Sequence, residues 1–281
     1  MILKCLWAVA SATLLAGCAA FSGTPYPDSA QIGKLFPADA ILLGEQHDAP
    51  DHQRIHRYMV ETLAAQGTLA ALTLEMAIQG QSTEKLGPQA DEEQVRSALQ
   101  WNNGTWSWTT YGPVVMAAVR AGVPVYGANL AKDRLRETMN DTGFDMLLPG
   151  PALTVQHQRI RMGHCDLLPE SQVAPMARIQ IARDISMAQT AVKLVQPGKT
   201  VLLLAGGSHV DRSVGIPQHL PPELVARTVL LHGGTLPDAA KNFNEFDQFW
   251  PTRPAPPVDH CADFAAHRAK PASAAKPDKT P

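Results

Sequence analysis

The sequence predicts an α/β fold with a parallel-rich central sheet flanked by helices, and three observations indicate it. Short, continuous apolar runs of strand length recur along the chain. Glycine follows several of these runs, where the backbone must turn sharply. Amphipathic stretches of helical period lie between them. Strands that are apolar on both faces are typical of a parallel sheet covered by helices on each side.

Five strands and two long helices are predicted. The strands are residues 40–43, 69–74, 123–126, 200–205 and 228–231. A helix over residues 51–66, with Asp51 near its N-cap, follows the first strand. A second helix over residues 170–195 precedes the fourth strand. Residues 80–112 interrupt the alternation, which predicts a helical or irregular insert that caps the sheet.

The amino terminus has the features of a lipoprotein signal peptide. Lys4 precedes an apolar core over residues 6–15, which is too short to span a bilayer as a permanent helix. The core ends in Leu-Ala-Gly-Cys, so we expect cleavage after residue 17 and lipidation of Cys18. The alternative is an ordinary secretory signal with a chance cysteine. Because Ala19 rather than Asp follows the cysteine, we expect an outer-membrane anchor in the cell envelope, where acyl chains such as palmitate bind the bilayer.

The remainder of the chain divides into three parts. Residues 18–30 are predicted to be a tethering linker, and residues 31–250 a single α/β domain. Residues 251–281 are rich in Pro, Ala and Lys, which favours an extended or disordered tail. The formal net charge of −2 gives no reason to expect nucleic acid as a partner.

Two cysteines remain after the signal is removed and Cys18 is acylated. In an oxidising compartment, Cys165 and Cys261 are expected to form a disulfide that holds the C-terminal segment on the body of the domain. Two free thiols are the alternative.

Polar side chains follow four of the predicted strands. Two strands share a G-x-x-H pattern that starts at Gly44 and at Gly206. The carboxyl ends of parallel strands are where ligands bind, because loops and helix N-termini converge there. The candidate catalytic residues at these ends are Glu45, His47, Glu75 and His209, and Asp48, Asn129 and Ser208 lie beside them. The alternative is that both histidines cap helix N-termini.

Two kinds of chemistry suit these residues. His47, Glu75 and His209 offer ligands for zinc, manganese or iron with open coordination positions, where bound water would be activated. Without a metal, a glutamate–histidine pair could perform acid–base chemistry. His52 is interpreted as a residue supporting or bordering the site, and His56 as a surface or packed histidine.

Several segments together resemble the ChaN family. They are ILLGEQHDAPDHQ, LTLEM, MGHCDLLPE, QIARDISMA and LLLAGGSHV, in that order, and the resemblance spans residues 31–231. It implies a haem-binding uptake lipoprotein and a haem-bridged homodimer. The wider superfamily includes the Tiki proteins, TraB and erythromycin esterase. Tiki-like members are similar in placing paired G-x-x-H histidines and a glutamate around a divalent metal.

Haem needs an axial ligand in an apolar cleft, and its propionates need a cation. Tyr111, Tyr126, His164 and the two G-x-x-H histidines are candidate iron ligands, among which the sequence does not choose. Arg183 is a candidate propionate ligand. Alternatively, Arg183 forms a surface ion pair with Asp184. Three tryptophans within residues 101–108 either stack on a flat ligand or hold an irregular loop on the domain.

Haem binding in iron uptake is the function that the resemblance favours. The alternative is a metal-dependent hydrolase of a peptide or ester bond in the cell envelope, which would use the strand-end acids and histidines.

Overall fold

The computed structural model describes residues 26–234 and 245–269. The predicted signal peptide, the lipidation site Cys18 and residues 270–281 of the predicted tail lie outside the described residues. Within the described ranges, no helix is long and apolar enough to cross a membrane.

A single parallel sheet of six strands lies at the centre of the fold. Its strands are β1 (Ala40–Glu45), β2 (Leu69–Ile78), β3 (Val125–Asn129), β4 (Thr200–Gly206), β5 (Ala226–Gly233) and β6 (Gln248–Thr252). Their order across the sheet is β3-β2-β4-β1-β5-β6, and every pair is parallel. The carboxyl ends of all strands therefore meet at one edge, which confirms the predicted fold class.

Helices cover both faces of the sheet. The α-helices are α1 (Ser29–Gly33), α2 (Pro50–Ala65), α3 (Glu92–Ala98), α4 (Trp108–Arg120), α5 (Leu135–Asn140), α6 (Gly150–Gly163), α7 (Glu170–Lys193) and α8 (His260–Ala269). Short 3-10 helices span Lys132–Arg134, Thr142–Met146 and Ile216–His219. The predicted insert contains α3 between irregular segments, and α4 begins within it.

The core has two layers because successive side chains of a strand point to opposite faces. Ile41 and Leu43 of β1 pack in one layer with Ile55 and Met59 of α2. Leu42 packs in the other layer with apolar side chains of α7. The central strands are buried along their whole length, as their continuous apolar sequence predicts.

The structure differs from the sequence prediction at β2, which continues to Ile78 instead of ending at Glu75. Its pairing with β4 extends to Leu74, and its register with β3 then shifts before Ile78. Glu75 consequently lies within the strand, at the point where β2 separates from β4.

Two further differences concern the C-terminal part of the chain. Strand β6, which pairs with β5 at the sheet edge, is not among the predicted strands. Helix α8 forms in the segment predicted to be an extended tail. Asp259 accepts a hydrogen bond from the Ala262 N–H at the start of this helix, and a disulfide between Cys165 and Cys261 joins α8 to the end of α6.

Candidate functional site

The ends of β1 and β4 and the interior of β2 bring the predicted acids and histidines together. Glu75 lies at the centre, and its Oε2 accepts a hydrogen bond of 2.8 Å from the Gly206 N–H at the end of β4. The Nε2 atom of His47 lies 4.0 Å from Oε2 of Glu75. The Nε2 atom of His209 lies 3.6 Å from Oε1 of the same carboxylate. Both G-x-x-H histidines therefore face one buried glutamate.

Glu45 is hydrogen-bonded to the ring of His47. Its Oε1 lies 2.6 Å from Nδ1 of His47 and accepts a 2.5 Å hydrogen bond from the Tyr111 hydroxyl, and its Oε2 accepts one from the Gln53 amide. Burial raises the pKa of Glu45, but the hydrogen bond from His47 and the charge of His56 outweigh it and lower the pKa below the ordinary value. Glu45 is therefore an ionised carboxylate that fixes the ring of His47.

His209 has a buried carboxylate partner, Asp184. Asp184 of α7 is buried, and its Oδ1 lies 2.6 Å from Nδ1 of His209. Burial lowers the pKa of His209, but the charges of Asp184 and Glu75 outweigh this effect and raise the pKa to about 9. The interpretation of Asp184 as a surface partner of Arg183 is therefore wrong.

A helical pattern could have identified Asp184. It occupies one buried stripe of α7 together with Ala177, Ile181, Ala188 and Ala191, at intervals of four, three, four and three residues. An aspartate within an otherwise apolar stripe indicates a buried carboxylate with a specific partner.

Glycine is required at both strand exits because a side chain would collide with the site. A Cβ atom at Gly206 would lie 3.0 Å from Nε2 of His47. A Cβ atom at Gly44 would contact Val210 and would lie 3.0 Å from Cα of Gly207. The two G-x-x-H segments therefore pack against each other at backbone distance.

His52 and His56 lie in the core on α2. His52 accepts a hydrogen bond from the Gln46 N–H at Nδ1, and its Nε2 lies 3.0 Å from the Thr252 hydroxyl. Neither ring nitrogen of His56 has a hydrogen-bond partner among the described residues, and its Nδ1 lies 3.4 Å from Oε2 of Glu45. His52 thus links the first G-x-x-H loop to β6, and His56 packs beneath Glu45.

A cavity of about 690 Å³ opens above the strand ends. This volume lies within the range of sites that bind small molecules. One side of the cavity contains the strand-end residues His47, Glu75 and Gly206 to His209. Helices α6 and α7 contribute polar and apolar side chains, and Leu230 and Phe246 add apolar surface.

His164 lies on the wall of this cavity at the C-terminus of α6. Its Nδ1 lies 2.7 Å from the Ile160 carbonyl oxygen. Because a carbonyl oxygen accepts hydrogen bonds, Nδ1 carries the proton and the neutral ring has its lone pair on Nε2. The ring of Phe264 in α8 packs edge-on against His164, with 5.4 Å between the ring centroids.

Arg183 lines the same cavity, and its buried Nε has no hydrogen-bond partner within the part of the chain that the structure describes. Arg159 also lines the cavity, but its guanidinium is paired with the buried carboxylate of Asp211. Among the described residues of this wall, Arg183 therefore has a buried donor left for a ligand.

Tyr111 and the tryptophans lie beside the large cavity and are not among the residues that line it. Tyr111 is buried, and burial together with the charge of Glu45 raises the pKa of its hydroxyl above the ordinary value. Trp101 donates a hydrogen bond from Nε1 to the Trp106 carbonyl oxygen and packs edge-on against Trp108. These contacts hold the irregular insert on α4, and Trp106 also packs edge-on against His47.

The structure does not support the predicted metal centre. Within residues 26–234 and 245–269, no group of three or more His, Cys, Asp or Glu side chains is arranged to hold a metal ion. Although burial lowers the pKa of His47, its hydrogen bond with Glu45 and the charge of Glu75 raise it above the ordinary value. In this arrangement the raised pKa values favour the protonated rings of His47 and His209.

The parallel α/β fold and the ligand-sized cavity at its strand ends define a small-molecule-binding α/β protein. The family described as haem-binding uptake, Tiki superfamily, ChaN matches residues 32–220, and the chain belongs to this family. The solved structure titled "Cofacial heme binding to ChaN of Campylobacter jejuni" is similar to this chain. The two sequences are 25% identical, and the two structures match with a TM-score of 0.62. The match covers 73% of this chain and 86% of the Campylobacter jejuni chain.

The type III effector HopBA1 is 12% identical over 77% of this chain and 88% of its own, with a TM-score of 0.45. No curated protein matches the chain.

Proposed function

We propose that this member of the haem-binding uptake family binds haem in the large cavity, with His164 as the iron ligand. The observation that carries the proposal is the cavity wall, where the hydrogen bond to Ile160 leaves Nε2 of His164 available. Haem iron accepts a neutral imidazole nitrogen. Burial and the hydrogen bond to Glu45 favour a positioning role for Tyr111 over iron ligation.

The rest of the cavity has the chemistry that an amphiphilic macrocycle needs. Ile160, Leu230 and Phe246 provide apolar surface for a porphyrin face. Arg183 has a buried Nε without a partner, and a propionate would satisfy it. Haem supplies an iron centre when bound, and these residues orient it and pair with its charge.

Titration with haemin tests the proposal. We expect the purified chain to give a saturable shift of the Soret band, and His164→Ala to change the spectrum and to weaken binding by roughly tenfold or more. His157→Ala is the matched control, because His157 lies on the same helix and is not among the residues of the cavity wall. Absence of a saturable band in the wild type, or an unchanged spectrum in His164→Ala, would refute the proposal.

We also propose that the chain is anchored in the outer membrane through Cys18. The support is the sequence of residues 1–18, which matches an exported lipoprotein. Metabolic labelling with radioactive palmitate should mark the wild type and leave Cys18→Ala unlabelled. Equal labelling of both forms would exclude this cysteine as the anchor.

A haem-bridged homodimer is a further part of the proposal. The similar structure from Campylobacter jejuni is titled for cofacial haem binding, and two chains are needed to bring two such cavities face to face. Met162 lines the large cavity here and is 64% exposed, which leaves an apolar side chain at its rim. Light scattering should show that the mass doubles when haemin is added, and a constant mass would exclude this assembly.

A second function is favoured by the two carboxylate–histidine pairs around Glu75. Glu45 with His47 and Asp184 with His209 place two oriented imidazoles near one carboxylate, an arrangement that suits acid–base hydrolysis of an ester or peptide bond. Hydrolysis of nitrophenyl esters and of peptide libraries, with and without added zinc or manganese, tests this function. Turnover that disappears in Glu75→Gln would support it, and turnover that persists would exclude this site.

A further inference from the structure

A second, smaller cavity lies beside the large one. It has a volume of about 200 Å³, and Glu75 and Arg183 line both cavities. Apolar side chains of Met76, Ile78 and Leu135 form part of its wall. The small cavity therefore offers an apolar surface directly next to a guanidinium.

Two cations of this wall have no carboxylate partner among the residues that the structure describes. Lys132 donates a hydrogen bond of 3.1 Å from Nζ to the Thr105 hydroxyl and forms no ion pair there. Arg183 likewise forms no ion pair, and its Nε is buried and unsatisfied. A buried donor that lacks a partner is costly, and a carboxylate is the acceptor that a guanidinium prefers.

The carboxylate of Glu75 forms no ion pair with Lys132 or Arg183 among the described residues. Its Oε2 accepts the hydrogen bond from the Gly206 N–H, and its Oε1 lies near His209. Both oxygens are thus directed towards the G-x-x-H histidines, and the positive charge of Lys132 and Arg183 is left for a ligand.

We infer that the small cavity binds a carboxylate with a short aliphatic body. Lys132 and Arg183 pair with the charge, and Met76, Ile78 and Leu135 contact the aliphatic part. Such a carboxylate has two sources. One is a propionate of the haem proposed for the large cavity, which rests on the proposed function. The other is a free short-chain acid, which is independent of the proposed function.

Equilibrium dialysis with radioactive butyrate tests the second source on the purified chain without haem. We expect saturable binding of one butyrate per chain, weakened roughly tenfold in Lys132→Gln because one charge-assisted contact is lost. Lys199→Gln is the matched control, because Lys199 is exposed and directly precedes β4, at the opposite end of the strand from the site. Circular dichroism establishes that both variants keep the fold.

Haemin and its dimethyl ester test the first source. The ester lacks both carboxylates and keeps the macrocycle and the iron. If a propionate occupies the small cavity, Lys132→Gln weakens haemin binding roughly tenfold and leaves binding of the ester unchanged.

The inference is overturned if butyrate does not bind saturably and Lys132→Gln leaves haemin binding unchanged. Saturable haemin binding in that result would still support the proposed function. Conversely, a chain that binds butyrate through Lys132 and does not bind haemin would retain the carboxylate site and refute the haem proposal.

Discussion

Asp184 determines the protonation state of the second G-x-x-H histidine. Its buried carboxylate lies 2.6 Å from Nδ1 of His209, so the ring is held in one orientation with Nε2 directed at Glu75. Glu45 has the same relation to His47. The two histidines of the site are thus each supported by a buried acid from a different element.

Replacing Asp184 by Asn should lower the pKa of His209 from about 9 towards the ordinary value of about 6.5. The amide keeps the size of the side chain but removes the charge that opposes the effect of burial. Two-dimensional NMR of the imidazole Cε1–H resonances across pH 5 to 10 measures this change, and His209→Gln assigns the signal. Asp145→Asn, which removes a carboxylate paired with Arg178, should leave the pKa of His209 unchanged. An unchanged pKa of His209 in Asp184→Asn would contradict the prediction.

His52 should make the protein less stable in acid. Burial lowers its pKa in the folded chain to about 4, whereas the unfolded chain has a value near 6.5. Between these values the unfolded chain binds a proton that the folded chain does not, so the free energy of unfolding falls as the pH drops from about 6.5 to about 4. The full effect is about 3 kcal/mol.

Urea unfolding of the wild type and of His52→Asn over this pH range measures the effect. Asn keeps an acceptor for the Gln46 N–H and does not titrate. Each protein gives a slope of the free energy of unfolding against pH. Subtracting one slope from the other removes the contribution of the titratable groups that both proteins share. The variant should show the shallower slope, and parallel slopes would exclude His52 as the source.

The loops after β1 and β4 depend on close backbone packing at Gly44. Gly44→Ala should lower the free energy of unfolding by about 1–3 kcal/mol, because its methyl group would collide with Val210 and approach the backbone of Gly207. Gly33→Ala is the control, since a Cβ atom there meets nothing within 4 Å. Thermal or denaturant unfolding of both variants tests this, and equal stability of the two would show that the loops can separate without cost.

Sequence patterns predicted those elements whose residues are uniformly buried. β1 and β4 are continuous apolar runs and are buried along their length. β6 contains Pro251 and lies at the sheet edge, so it has neither the length nor the pattern of a central strand. Likewise, the register shift that places Glu75 inside β2 depends on pairing with β3, a contact between distant parts of the chain.

The residues of the site were likewise predicted only where a local sequence motif marks them. The G-x-x-H repeats located His47 and His209, because each motif is local and follows an apolar strand. The pairing of Asp184 with His209 joins α7 to the loop after β4 and requires knowledge of how that helix packs. The small cavity required the same knowledge, since Lys132 and Arg183 are far apart in sequence and line one cavity only because α7 lies against β3.

The disulfide between Cys165 and Cys261 joins the last described helix to the rim of the large cavity. Cys165 follows His164 directly, and Phe264 of α8 packs against the His164 ring. On the other side, Nε2 of His260 lies 3.3 Å from Oδ2 of Asp48, next to the first G-x-x-H motif. Helix α8 thus connects the chain segments that carry His47 and His164.

Replacing both Cys165 and Cys261 by Ser should release α8 before the rest of the protein unfolds. The described side chains of α8 are exposed or half-buried, so little apolar surface holds the helix once the covalent link is gone. Hydrogen exchange should accelerate in α8 (His260–Ala269) and stay slow in the buried stripe of α7.

The free energy of unfolding should also fall by about 3–5 kcal/mol, because the bridge spans 96 residues and restricts the unfolded chain. Wild-type protein under a reducing agent should reproduce both changes. If α8 stays protected in the double variant, the non-covalent contacts around His164 and His260 are sufficient to hold it, and the cavity rim does not depend on the disulfide.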